Sequence, residues 1–228
     1  FTMYATDTSN NVKQNSTLVV VTPEIEITNC TNLDRANANY SLTRNANSGG
    51  TCMYVLANNI TLDCKGFDIN YSQSVEGYGV NISSFNYSTI RSCNIVQNIT
   101  NMGGAANSYG IYIFKNASFN VVYNNSITTN STNGYGIYLL QEAKNNNITN
   151  NTITTSGSTG YGALLNTNSN NNSVYSNTIT TSGGTGIGAL LNTNSNNNNI
   201  YSNTITTSGS DGYGAYLYSS SNNSVYSN

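Results

Sequence analysis

The sequence predicts an all-β solenoid, a chain wound into stacked coils of about 26 residues with three short strands in each. Three observations carry this expectation. Residues 151–176 (NTITTSGSTGYGALLNTNSNNNSVYS) and 177–202 (NTITTSGGTGIGALLNTNSNNNNIYS) differ at four of 26 positions. Apolar residues recur inside each copy at alternate positions, the spacing of a strand with one buried face. The composition is also hostile to helix, since 45 Asn and 58 Ser or Thr make up nearly half of 228 residues, and these types are mediocre helix formers.

A third copy of the repeat begins at Asn203 and a more diverged one at Asn125. Self-similarity at such a period is the signature of a solenoid, whose single units cannot bury their apolar face alone. The first strand is marked by the inward pair Ile137/Leu139, repeated as Ala163/Leu165, Ala189/Leu191 and Ala215/Leu217, and earlier as Val80/Ile82 and Ile111/Ile113. The second carries Ile90, Val122, Ile148, Val174, Ile200 and Val225, and the third Ile95, Ile127, Ile153, Ile179 and Ile205. At about 4.8 Å per coil, roughly six coils would give a rod about 30 Å long.

Turn positions account for much of the Asn. Asn125, Asn151, Asn177, Asn203 and Asn228 lie three residues beyond the second apolar position, and stacked carboxamides there can donate and accept along the axis as a ladder. Cys93 takes that place in an earlier coil. The Gly-x-Gly pairs (Gly77/Gly79, Gly134/Gly136, Gly160/Gly162, Gly186/Gly188, Gly212/Gly214) recur with the coil and introduce strands, which fits turn geometry and not a phosphate loop.

Together these features resemble the right-handed parallel β-helix proteins of the pectin-lyase-like fold, and more narrowly the NosD-like repeat proteins of archaeal and bacterial surfaces. The most specific segment is NCTNLDRANANYSLTRNANSGGTCMYVLANNITLDCKGFDI. The resemblance implies a fold and says little of function. On this reading residues 23–60 form an N-terminal cap and lead-in segment, and residues 61–228 form the β-helix repeats. Residues 1–22 stand apart as two strands around a turn at Ser9-Asn10-Asn11, followed by Pro23, like the last hairpin of an immunoglobulin-like domain or a pair of subunit-exchange strands. Asn228 falls partway through a coil and no initiator Met or signal peptide is present, so the chain is expected to be a piece of a longer or processed protein, cut short at its C-terminus.

The four cysteines, Cys30, Cys52, Cys64 and Cys93, all precede the regular repeats. An even count in a chain of extracellular character favours disulfides over zinc, for which the CxxC spacing is missing. Four cysteines allow three pairings; the family resemblance implies Cys30–Cys52 and Cys64–Cys93. The 15 Asn-x-Ser/Thr sequons barely exceed what composition yields by chance. Asn59, Asn81, Asn86 and Asn116, which flank strands, are the glycosylation candidates.

Several function classes are excluded by composition. The absence of His removes His-based catalysis and most zinc sites. Seven Lys or Arg without a basic cluster leave no footprint for nucleic acid, and no apolar run reaches the roughly 20 residues of a membrane helix. From Asn145 onward only Asp211 is charged, so the repeats lack acid, base and cation ligands. The one charged grouping, Asp63, Lys65, Asp68 and Arg91, reads as solvated charge or salt bridging and not as an active site. Hence no catalytic, cofactor or metal residues are expected.

Two outward features remain. Tyr112, Tyr138, Leu164, Leu190 and Tyr216 neighbour the inward pair and are expected to face solvent in register as an interaction face, with Tyr175, Tyr201 and Tyr226 as a second row. Ser126/Thr128, Thr152/Thr154, Thr178/Thr180 and Thr204/Thr206 form ranks like those of β-helical ice-binding proteins, a weak likeness. The expected function is that of a non-enzymatic structural rod, secreted or at the cell surface, in an adhesin-like stalk or extracellular filament. Its partners would be copies of itself, neighbouring surface subunits or glycans; carbohydrate binding or processing is the alternative.

Overall fold

The structure, a computed structural model, describes residues 24–97 and 107–228 in full and the backbone of residues 2–6 and 12–16. The turn at Ser9-Asn10-Asn11 and Pro23 lie outside the described residues. Thr2–Thr6 and Val12–Ser16 pair antiparallel, with Thr2 opposite Ser16.

From Glu24 onward the chain is a parallel β-solenoid of three sheets and about seven turns. Sheet I has eight strands: Thr31–Leu33, Met53–Val55, Tyr78–Ser83, Asn107–Phe114, Asn133–Leu140, Tyr161–Asn166, Ile187–Asn192 and Tyr213–Tyr218. Sheet II has nine: Glu24–Ile27, Asn39–Leu42, Thr61–Asp63, Thr89–Arg91, Val121–Tyr123, Asn147–Thr149, Ser173–Tyr175, Asn199–Tyr201 and Ser224–Tyr226. Sheet III has seven: Ala46–Asn47, Asp68–Tyr71, Asn94–Gln97, Ser126–Thr129, Thr152–Thr155, Thr178–Thr181 and Thr204–Thr207. Coiling starts well before residue 61, because Glu24–Ile27, Thr31–Leu33 and Ala46–Asn47 already hydrogen-bond in register to later strands.

The register places the predicted apolar columns inside up to the last coil, where Leu217 and Val225 keep their register but are 40% and 41% exposed because no further coil covers them in this structure. Val80, Ile111, Ile137, Ala163 and Ala189 are consecutive partners on sheet I, as are Ile82, Ile113, Leu139, Leu165 and Leu191. Ile90, Val122, Ile148, Val174 and Ile200 line sheet II, and Ile95, Ile127, Ile153, Ile179 and Ile205 line sheet III. All but Ile205 belong to one continuous buried core. Eight strands at the interstrand spacing make sheet I about 34 Å long.

Glycine is required here for a reason different from the predicted turn geometry. Among the described glycines only Gly66 has positive φ (+87°). At Gly136 a Cβ would instead lie 2.3 Å from Ile153 Cγ2 and 2.7 Å from the Gly162 carbonyl oxygen. The second glycine of each pair from Gly79 to Gly188 therefore marks a crowded corner where sheet I packs against sheet III, whereas at Gly214, in the last coil, the nearest atom is Ile205 Cγ2 at 4.0 Å. The turns themselves use non-glycine residues in the left-handed region, such as Asn124, Asn150, Ser176 and Ser202 between sheets II and III. Asn tolerates that region better than most side chains.

Candidate functional surfaces

Two amide ladders bracket sheet II. In the predicted one, the Asn151 backbone N–H and Nδ2 both donate to Asn177 Oδ1, at 2.9 and 3.0 Å. Nδ2 also donates to the carbonyls of Val122 and Thr149, each at 2.9 Å. The same arrangement joins Asn125 to Asn151, Asn177 to Asn203 and Asn203 to Asn228, with the Cys93 N–H donating to Asn125 Oδ1 at 3.0 Å. The second ladder, absent from the sequence reading, runs through Asn120, Asn146, Asn172, Asn198 and Asn223 at the opposite end of the same strands. Its members from Asn120 to Asn198 are fully buried. The signal was an Asn two residues before each second apolar position, hidden within Asn runs.

The outer face of sheet I is aromatic. Tyr78, Tyr109, Tyr135 and Tyr161 form one column, stacked with centroids 5.3, 5.0 and 4.9 Å apart. Beside it lie Tyr112, Tyr138, Leu164, Leu190 and Tyr216, in register as predicted. Their exposure is not as predicted: Tyr112 is 9% exposed, Tyr138 8%, Leu164 4% and Leu190 7%, while Tyr216 is 39% exposed. Flanking Tyr78, Tyr109, Tyr135, Tyr161, Phe114 and Leu140 lean over them and make a small second apolar cluster on the outside of the barrel. Tyr138 meets Tyr109 and Tyr135 edge-on, at 86° and 87°.

This packing sets the chemistry of the face. Rings stacked along the axis cover one another's faces, so the column presents ring edges. Burial, reinforced by neighbouring tyrosines, pushes the Tyr135 phenol up to about 12 and raises those of Tyr109 and Tyr112 further. These phenols are neutral donors at physiological pH.

The charged grouping is dispersed around a turn. Asp63 ends a strand of sheet II and Asp68 begins one of sheet III, with Lys65 at positive φ between them. Arg91 pairs with Asp63 at 2.9 Å and donates to Tyr123 Oη at 3.0 Å. Lys65 pairs with Glu24 at 2.7 Å. That contact and a hydrogen bond from Ser41 hold the Glu24 carboxyl below its ordinary range. Asp68 accepts from Asn45 and Asn94 at 3.0 and 2.6 Å. Each member is engaged in structural pairing. Among the described residues no group of three or more His, Cys, Asp or Glu is placed to hold a metal ion, and no helix is long and apolar enough to cross a membrane.

Disulfides join Cys30 to Cys52 and Cys64 to Cys93, the pairing implied by the resemblance. They fit an oxidising environment. The four sequon candidates separate. Asn59 and Asn116 are exposed at positive φ in turns. Asn81 is instead half-buried within a strand, with its Oδ1 sealed from solvent and unpaired. Asn86 is half-buried too, and its Oδ1 accepts from Ser118 N at 2.7 Å.

No family model matches this chain, and no curated protein matches it. The likeness to NosD-like proteins thus rests on the repeat pattern, while the parallel solenoid stands on the structure itself. The threonine ranks are in register and exposed on sheet III, Thr152 against Thr178 and Thr204, Thr154 against Thr180 and Thr206.

Proposed function

We propose that this chain is a non-enzymatic structural rod of a secreted or cell-surface protein, with its aromatic sheet I face as the contact surface for a neighbouring subunit. The observation that carries the reading is the unbroken stacking of core columns and both amide ladders across the repeats, which spends the sequence on rigidity. Between Asn145 and Asn228 the only charge is Asp211, so this stretch offers hydroxyls, amides and phenols in place of acid–base groups. Two disulfides support an extracellular setting. Adhesin-like stalk and extracellular filament are both compatible roles, and electron microscopy of the purified chain distinguishes them: lateral or end-to-end arrays favour a filament, isolated rods at high concentration a stalk.

Turnover of pectins or other polyuronates, abolished by Asp63→Ala or Asp68→Ala, would refute the non-enzymatic reading. Carbohydrate recognition is the competing role. Sugar stacking needs an open ring face, and the stacked Tyr109, Tyr135 and Tyr161 rings offer edges. A glycan array probed with the chain and with Tyr138→Ala and Tyr216→Ala decides the matter: glycan binding lost in both variants would replace the subunit-contact reading.

A further inference from the structure

A second stack of phenols lies on sheet II, away from the aromatic face. Tyr175, Tyr201 and Tyr226 occupy one outer column in three successive coils. Their ring centroids are 4.9 and 5.2 Å apart and their planes lie within 2° and 4° of parallel. Strand pairing repeats each ring by one coil, which carries the Cε carbons of one phenol alongside those of the next. Tyr175 and Tyr201 are half-buried and Tyr226 is 51% exposed, so the column is open to solvent.

Among the described residues no cysteine, tryptophan or methionine side chain is open to an oxidant. Cys30, Cys52, Cys64 and Cys93 are all in disulfides, the chain has no Trp, and Met53 is sealed in the core. Both disulfides lie between Cys30 and Cys93, so the later repeats have no covalent tie between coils. The tyrosine column runs through the last three of those coils.

We propose that Tyr175, Tyr201 and Tyr226 form an oxidative crosslinking site, at which a peroxide-driven one-electron oxidant couples neighbouring phenols into dityrosine and staples consecutive coils. Each of two tyrosines loses one electron and its phenolic proton to give a phenoxyl radical. A bond forms between their Cε carbons, and the hydrogens on those two carbons move to the oxygens, restoring both phenols. The pair loses two electrons and two protons; these reduce one hydrogen peroxide to two waters, with cleavage of its O–O bond.

Solvent access separates the column from the buried part of sheet I, and the exposed Tyr213–Tyr216 pair, 5.1 Å apart, lies within one strand and so joins no two coils. The phenolic proton must leave for water, and on sheet I the Tyr109 and Tyr135 rings are crowded by the perpendicular Tyr138. Burial disfavours proton loss strongly at Tyr109 and Tyr135, and more weakly at Tyr201, whose phenol is raised by desolvation and by Tyr175 and Tyr226. Tyr123 lacks a stacked neighbour in its own column, because Thr149 intervenes between it and Tyr175.

The test treats the dilute full chain with a heme peroxidase and hydrogen peroxide, then reads dityrosine fluorescence, gel mobility and crosslinked peptides by mass spectrometry. Expected is a monomeric product lacking two hydrogens, with the link mapped to Tyr175–Tyr201 or Tyr201–Tyr226. Tyr201→Phe removes a partner from both pairs and should abolish the intrachain link, whereas Tyr135→Phe should retain it. Circular dichroism checks that Tyr201→Phe keeps its sheet; if it does not fold, peptide mapping of the unsubstituted chain decides alone. Dityrosine confined to covalent dimers, an undiminished intrachain yield in folded Tyr201→Phe, or a link mapped to the sheet I tyrosines would overturn the proposal.

Discussion

Replacing Asn151 by Ala tests the ladder directly. The carboxamide is 1% exposed and makes five hydrogen-bond contacts. Two are accepted from the Asn125 backbone N–H and Nδ2, both at 3.0 Å. The two Nδ2 hydrogens reach three acceptors, one of them shared: the Val122 and Thr149 carbonyls and Asn177 Oδ1. Alanine removes all five and strands the buried Asn125 N–H, while the residue 151 backbone bond to Asn177 Oδ1 survives. At about 1 kcal/mol net per bond and about 1–3 kcal/mol per buried group left unpaired, the loss comes to about 3–5 kcal/mol after partial relaxation. Asn150→Ala is the matched control, since its side chain is exposed and only its left-handed φ of 55° resists alanine; that conformation costs roughly 1–2 kcal/mol. Urea denaturation followed by circular dichroism measures both variants. Equal midpoints for the two, or an Asn151→Ala loss under about 1 kcal/mol, would refute the claim that the ladder holds consecutive coils together.

Other perturbations separate the remaining forces. Gly136→Ala should destabilise by about 1–3 kcal/mol or more, because its Cβ would lie 2.3 Å from Ile153 Cγ2; thermal melting within error of the parent chain would contradict the crowded corner. Cys64→Ser with Cys93→Ser removes a link across 29 residues, about 3–4 kcal/mol on loop-closure grounds. Hydrogen exchange should localise that loss to the early coils, since repeats couple chiefly to neighbours. Stability should fall as pH rises between about 10 and about 12, because the Tyr135 phenol ionises near 10 when unfolded but near 12 when folded. Deprotonation then favours the unfolded chain, and the fall should end above the folded value. Phenols of the folded chain that all titrate near 10 by ultraviolet absorbance would contradict the buried aromatic face.

The core was legible because two periods coincide. Strand alternation assigns Ile148 and Ile153 inward, and the 26-residue repeat aligns them with Val174 and Ile179. Asn151 was legible for the same reason, standing at a fixed offset after a strand. Asn146 carried equal information but sits in Asn145-Asn146-Asn147, where one buried residue lies between two that are not, and composition cannot say which. The burial of Tyr138 was not legible either. Sequence identifies it as outward, but its cover comes from Tyr109 and Tyr135, which belong to two different coils. Asp63 and Asp68 looked like a cluster because they are five residues apart, yet the turn at Lys65 sends them to different sheets.

The ladders have one more consequence, which concerns direction. Every bond between rungs runs from an N–H to the carboxamide oxygen of the following coil, so the carboxamide dipoles all point the same way down the rod. The molecule is in this respect an arrow and not a bar. Two such rods can continue each other's hydrogen-bond chains only tip to tail, and side by side they are distinguishable as parallel or opposed. Any assembly built from them would inherit that polarity.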